Sequence, residues 1–137
     1  MFLTNTAQYA VRVLLYMSAS PDKKYSAAEL IQKLDISDKY LRRIMTNMAK
    51  EGFIESSHGR VGGYKFKKKL KDICLADIVF AFEGREKYMK CILGFNECDD
   101  SHPCKLHEKW LAERTNILNL LESTTLDKLD DVAAKQF

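Results

Sequence analysis

Cysteine and histidine are scarce in this chain of 137 residues, at four and three, and glycine and proline number only six and two. No glycine-rich loop of the kind that cradles phosphate is present, and no acid and base are paired around an evident pocket. Neither an enzyme nor a small-molecule substrate is therefore expected. Repeats and low-complexity tracts are absent as well. The opening stretch, MFLTNTAQYAVRVLLYMSAS, carries no basic leader ahead of an apolar run, and Arg12 interrupts the only run that resembles one. It reads as neither a secretory signal nor a membrane span, so the chain is expected in the cytoplasm with no membrane partner. Reducing conditions there favour thiols or metal ligands over structural disulfides. A length of 137 residues excludes a large multidomain enzyme; it accommodates one domain, or a small domain with an accessory arm.

What is present is unevenly placed. The net charge is only +3, yet residues 1–71 hold 14 Lys and Arg against 6 Asp and Glu, net +8, while residues 72–137 hold 8 against 13, net −5. This fits a solvated basic face or, more sharply, an N-terminal half that meets a polyanion.

Ala7, Ala10, Val11 and Leu14 recur at helical spacing and predict an amphipathic helix over about residues 4–19, ended by Pro21 and Asp22. Ser26 followed three residues on by Glu29 has the capping-box arrangement, and Ala27, Leu30, Ile31 and Leu34 form the next apolar face. After the short break LDIS, Ser37 is placed to cap a helix whose stripe is Leu41, Ile44, Met45 and Met48 and which Gly52 stops. Two such helices joined by three or four residues make a helix-turn-helix unit. Beside the capping Ser37, the second helix turns Lys39, Tyr40, Arg42, Arg43, Thr46, Asn47 and Lys50 outward, with no carboxylate beyond Asp38. A plain helical hairpin also has a polar outer face, but four cations without a counter-charge suit the phosphate-flanked major groove.

Residues 53–56 and 63–67 read as two strands, with HGRVGG between them as the turn. A helix-turn-helix followed by a two-stranded wing is a winged helix, a mainly α fold. His58 and Arg60 lie in the turn, where an arginine suits the minor groove, and Lys65, Lys67, Lys68, Lys69 and Lys71 can neutralise phosphates. Charge, hairpin and helix pair agree on double-stranded DNA as the partner.

LADIVFAFEG, residues 75–84, predicts a buried helix closed by Gly84, and Cys74 beside it reads as a small hydrophobe. A long helix is expected from Pro103 to about residue 122. Its stripe of Leu106, Trp110, Ile117 and Leu121, widened by Leu111, Leu118 and Leu120, serves either one core or a partner helix from a second subunit. A last short helix is expected from Thr125. The organisation is thus a winged-helix domain over 1–84, a cysteine-rich loop over 85–104, and a long helix with a terminal helix over 105–137.

That loop, CILGFNECDDSHPCKLH, places Cys91, Cys98 and Cys104 six and five residues apart, with His107 two beyond. With a helix beginning at Pro103, Cys104 and His107 share one face at i and i+3 and reach a single ion or cluster. The spacing matches neither the close pairs of tetrahedral zinc nor the ferredoxin runs, so three cysteines and a histidine form a metal constellation whose metal stays open. A thiol redox switch or a zinc site is the alternative, and a small iron-sulfur electron carrier is an alternative of another class. His102, next to Pro103, is assigned to the helix cap.

In their order, LTNTAQYAVRVLLYMS, ISDKYLRRIM, HGRVGGYKF, LADIVFAFEG, the spaced cysteines and TTLDKL resemble the BadM/Rrf-type winged-helix transcriptional regulators over nearly the whole chain. The resemblance implies a homodimer joined by the long C-terminal helix, with Leu106, Trp110, Leu111, Ile117, Leu118 and Leu121 in the interface, bound to an imperfect palindrome in promoter DNA. It also implies an iron-sulfur cluster on Cys91, Cys98 and Cys104, whose loss senses redox state, nitric oxide or iron-sulfur status. In the IscR-like branch a histidine placed as His107 completes a 2Fe-2S site. In the NsrR-like branch the fourth ligand is an acidic residue of the partner's first helix, at the position of Gln8, which is not acidic. The chain thus looks closer to the IscR-like branch. Two positions depart from the pattern. His58 stands where the wing of the family has arginine, shifting the expected minor-groove contact to Arg60. Arg42 stands where IscR-like proteins have a glutamate implicated in choosing between DNA site classes.

Overall fold

The computed structural model describes residues 2–95 and 100–137; Cys98 lies outside them. Among the described residues the chain is mainly α-helical with one antiparallel hairpin, in the order α1 (Asn5–Ser18), α2 (Ala27–Leu34), α3 (Asp38–Lys50), β1 (Ile54–Ser57), β2 (Gly63–Phe66), α4 (Leu75–Glu83), α5 (His107–Ser123) and α6 (Asp130–Gln136). A 3-10 turn, Leu126–Leu129, leads into α6.

The Thr4 hydroxyl caps α1 by accepting from Ala7 N–H at 3.2 Å. The expected stripe covers only part of what α1 buries. Ala7, Ala10 and Leu14 are buried and Val11 is half-buried, but Val13, Leu15 and Met17 are buried too, because α2, α3, α4 and α6 all pack on this helix. Ser26 caps α2 by accepting from Glu29 N–H at 3.1 Å. The reciprocal half of the capping box is not made. The Glu29 carboxylate instead accepts from Lys23 Nζ and the Tyr16 hydroxyl, each at 2.9 Å, since a charge-assisted bond outweighs one to a backbone amide. Burial and that carboxylate push the Tyr16 hydroxyl up to about 12. Asp35, at φ 49°, turns the chain out of α2, and Ser37 caps α3 through Tyr40 N–H. Leu41, Ile44, Met45 and Met48 are then fully buried, as their spacing predicts.

In the wing, Ile54 lies opposite Phe66 and Ser57 opposite Gly63. Ile54, Tyr64 and Phe66 face the core, which settles the register, because a one-residue slip would expose all three. The hairpin is fastened to the segment before α2 by two bonds of 2.8 Å, from Tyr25 N–H to the Tyr64 carbonyl and back. Gly63 permits that approach: a Cβ on it would lie 2.5 Å from the Tyr25 carbonyl oxygen. Gly63→Ala is therefore expected to destabilise the fold by about 1–3 kcal/mol and loosen the wing, read as a lower melting temperature and faster amide exchange at Tyr25 and Tyr64. Wild-type exchange at both amides would contradict this.

The helix α5 begins at His107, not at Pro103 as expected. Cys104 to Leu106 form a turn in which His107 N–H donates to the Cys104 carbonyl at 3.0 Å, and Leu106 offers no side-chain cap. Cys104 therefore precedes the helix, and His102 does not serve its cap; its Nδ1 lies 3.2 Å from the Ser101 hydroxyl. The apolar stripe of α5 divides. Leu121 is buried and Ile117 and Leu118 are half-buried against Ala76 and Val79 of α4 and Tyr88, whereas Leu120 is 62% exposed and Leu106 39% exposed. Cys74 is half-buried where its strand-like segment pairs with Thr125, and burial pushes its thiol up, in keeping with a packing role. No helix among the described residues is long and apolar enough to cross a membrane.

Candidate DNA interface and cysteine recess

Burial of Leu41, Ile44, Met45 and Met48 turns the opposite face of α3 to solvent, where Lys39, Arg42, Arg43, Thr46 and Lys50 are exposed. Two side chains expected on that face turn elsewhere. The Tyr40 hydroxyl donates to Thr6 Oγ1 at 2.7 Å and its ring stacks edge-on against Tyr9, so it ties α3 to α1. Asn47 is half-buried, and its Nδ2 donates to the Ala81 carbonyl at 3.1 Å, tying α3 to α4. Both lie on the flanks of α3, where a neighbouring helix offers a partner.

A cleft of about 530 Å³ separates α3 from the wing, lined by Arg42, Met45 and Thr46 on one side and by Ser56, Ser57 and His58 on the other. Arg42 is presented there by Asp38, one turn earlier: its Nε donates to both carboxylate oxygens, at 2.9 and 3.0 Å. This i, i+4 pair is exposed and adds little stability, but it orients the guanidinium. His58 and Arg60 are exposed in the turn, whose tip is tethered by Lys24 Nζ donating to the Val61 carbonyl at 3.3 Å. Not every wing lysine adds to this surface. Lys68 stands over the Phe53 ring and shares a recess with Glu51 and Asp77, which offset its charge.

Just before α5, Cys91, Cys104 and His107 line one small recess with Ile92, Leu93, Leu106 and Trp110. Cys91 is half-buried and Cys104 exposed. The His107 ring is buried, its Nε2 lying 3.0 Å from Asp100 Oδ1. Two thiols and an imidazole in a largely apolar recess fit an iron-sulfur group by donor chemistry. They are not gathered: among the described residues no three His, Cys, Asp or Glu side chains stand close enough to hold a metal ion. The chain entering the recess is held by α5, since Trp110 Nε1 donates to the Lys90 carbonyl at 3.1 Å and Arg114 Nη1 to the Met89 carbonyl at 2.9 Å.

Three contacts escaped the sequence reading: Asp38 with Arg42, Asp100 with His107, and Glu83. The buried Glu83 carboxylate accepts from Thr4 N–H, Lys87 Nζ and the Tyr88 hydroxyl and so joins the start of α1 to the end of α4. Asp38 with Arg42 and Glu83 with Lys87 carried a signal, the i, i+4 spacing of opposite charges; Asp100 with His107 and the bonds of Glu83 to Thr4 and Tyr88 carried none.

The family model Rrf2, described as "Iron-dependent Transcriptional regulator", matches residues 3–131. The regulator NsrR of Geobacillus kaustophilus is 31% identical over 137 residues, covering 98% of this chain and 93% of that one. The regulator IscR of Photorhabdus laumondii is 28% identical over 143 residues, covering 99% and 87%. Among solved structures, CymR, the global cysteine regulator of B. subtilis, superposes with a TM-score of 0.77 at 23% identity, covering 96% of this chain and 98% of that one. T. potens IscR superposes with a TM-score of 0.74 at 22% identity, covering 100% and 92%. The match runs from α1 through the wing to the C-terminal helices, so the chain belongs to the Rrf2 family and is a winged-helix, DNA-binding transcriptional regulator.

Proposed function

We propose that this regulator binds an imperfect palindrome in promoter DNA as a homodimer, under control of an iron-sulfur cluster of the 2Fe-2S type held by Cys91, Cys98, Cys104 and His107. The observation that carries the reading is the common recess of Cys91, Cys104 and His107 beside α5. Each subunit offers α3 and the wing to one half-site, with Lys39, Arg42, Arg43, Thr46 and Arg60 as the contacting side chains and Ser37 presenting the helix start. His58 faces the same cleft. A bound cluster supplies iron that thiolates hold firmly and a neutral imidazole less firmly, which makes its retention sensitive to oxidants, nitric oxide and acid.

The chain's own residues connect the recess to the DNA face. Trp110 and Arg114 fix the carbonyls just before Cys91, so order in the loop bears directly on α5. As the dimer helix, α5 sets the spacing of the two α3 helices, and a dimer reads half-sites only at matching spacing.

Anaerobic purification is expected to yield a coloured protein containing iron and sulfide. Cys104→Ala, at an exposed position, should bleach it and leave a protein that melts where the cluster-free wild type does. A colourless protein without iron after reconstitution would sink the proposal. It would favour the second reading, a thiol switch or zinc site, which the exposure of Cys104 and the proximity of Cys91 support. Promoter binding in a salt-dependent mobility shift separates both readings from a small electron carrier, which would bind no specific DNA.

A further inference from the structure

The helices α1, α2 and α6 leave between them an open cleft of about 420 Å³. Its floor is apolar: Leu15 is buried, Leu34 and Val132 are half-buried, and Phe137 forms one wall. Arg12 of α1 and Lys33 of α2 stand at its edge, both exposed. No lining side chain is a carboxylate and neither cation makes a salt bridge among the described residues, although Glu29, one turn before Lys33 on α2, is close enough to feel its charge. Arg12 stands over the Tyr9 ring, 5.5 Å from its centre.

Long cationic side chains often lie over apolar surface simply to cover it, with their charges in water. Here the surface is concave and of a size that receives a small molecule, and two cations stand at its edge, Lys33 partly offset by Glu29 one turn earlier and Arg12 with no carboxylate partner among the described residues. We propose that this cleft is an effector site for a small organic carboxylate with an apolar body. The carboxylate pairs with Arg12 and Lys33 through charge-assisted hydrogen bonds, and the body lies on Leu15, Leu34 and Val132.

Its position suits regulation. The first helix of the helix-turn-helix, α2, provides one wall, and α6, which follows the proposed dimer helix, provides another. Phe137 stacks edge-on against Tyr16 at 5.4 Å, and the Tyr16 hydroxyl donates to Glu29 of α2 at 2.9 Å. An occupant drawn between these walls changes how α6 sits on the reading unit, and a ligand that prefers one arrangement shifts the population toward it. The inference does not depend on the cluster, since the cleft shares no lining residue with the cysteine recess.

The test is a titration of the full chain, followed by backbone amide NMR, with 4-phenylbutyrate and octanoate as probes and 4-phenylbutanamide as the uncharged control. The carboxylates are expected to move the signals of Arg12, Leu15, Lys33, Leu34, Val132 and Phe137, with the amide at least about tenfold weaker. The double variant Arg12→Met, Lys33→Met, at exposed positions and so expected to fold, should also weaken binding by about tenfold or more. Saturating carboxylate should change promoter affinity several-fold in the wild type and leave the double variant unmoved. No movement at about 10 mM probe, or equal movement with the amide or in the double variant, overturns the proposal. Movement of the same signals on raising protein concentration alone would show a second copy covering the cleft and would overturn it equally.

Discussion

Replacing Arg42 and Arg43 together by alanine is expected to weaken binding to the specific promoter site by about a hundredfold or more. Both side chains are exposed on α3, in a row with Lys39, Thr46 and Lys50, and the helix carries no carboxylate past Asp38. A good contact between an arginine and a base edge contributes about 1–3 kcal/mol, and a phosphate contact adds a counterion-release component that appears in the salt dependence. Since neither residue supports the core, the melting temperature should stay at the wild-type value. Anisotropy titrations at several salt concentrations decide the matter. The double variant should show lower affinity and a shallower slope, and wild-type affinity would mean that α3 is not the reading helix. Asp38→Ala provides a finer probe. It removes the carboxylate that grips Arg42 without removing the cation, so discrimination between sequences should fall more than affinity for nonspecific DNA.

Leu120→Glu is expected to split the dimer and, with it, to lose tight binding to a palindrome while keeping the fold. Leu120 is 62% exposed on α5, so a carboxylate there meets water in the separate chain and a like charge near its symmetry mate in a dimer built on α5. Leu121, the next residue, gives the opposite result. It is 6% exposed against α4, and Leu121→Ala should lower stability by about 2–5 kcal/mol through the cavity it leaves. Sedimentation and thermal unfolding of the two variants separate the roles. A Leu120→Glu chain that remains dimeric would move the interface off this face of α5.

The winged-helix half was legible for a local reason. Caps at Ser26 and Ser37, apolar spacing in α2 and α3, and the glycines of the wing turn act through bonds between residues a few positions apart, so residue type at a given offset is enough to place the elements. The capping box at Ser26 shows the limit. Its backbone half formed as expected, but Glu29 found stronger partners in Lys23 and Tyr16, and Tyr16 lies thirteen positions away. Pro103 shows another limit: it suits a helix start, yet the chain makes one more turn and α5 begins only at His107, whose ring is buried.

The sequence by itself determined the family, the mainly α winged-helix class, the basic outer face of α3 and the crowding of thiols and imidazoles into one loop. Only the tertiary structure decided that Tyr40 and Asn47 turn toward α1 and α4, and that the α5 stripe divides between its own core and solvent. It also decided that Cys91, Cys104 and His107 line one recess with Trp110 without being gathered around a common point. The reason is physical. A helical period says which side chains share a face, but every face of a packed helix is apolar or polar only relative to what lies against it. Those neighbours come from segments tens of residues away, chosen by the packing of the whole chain.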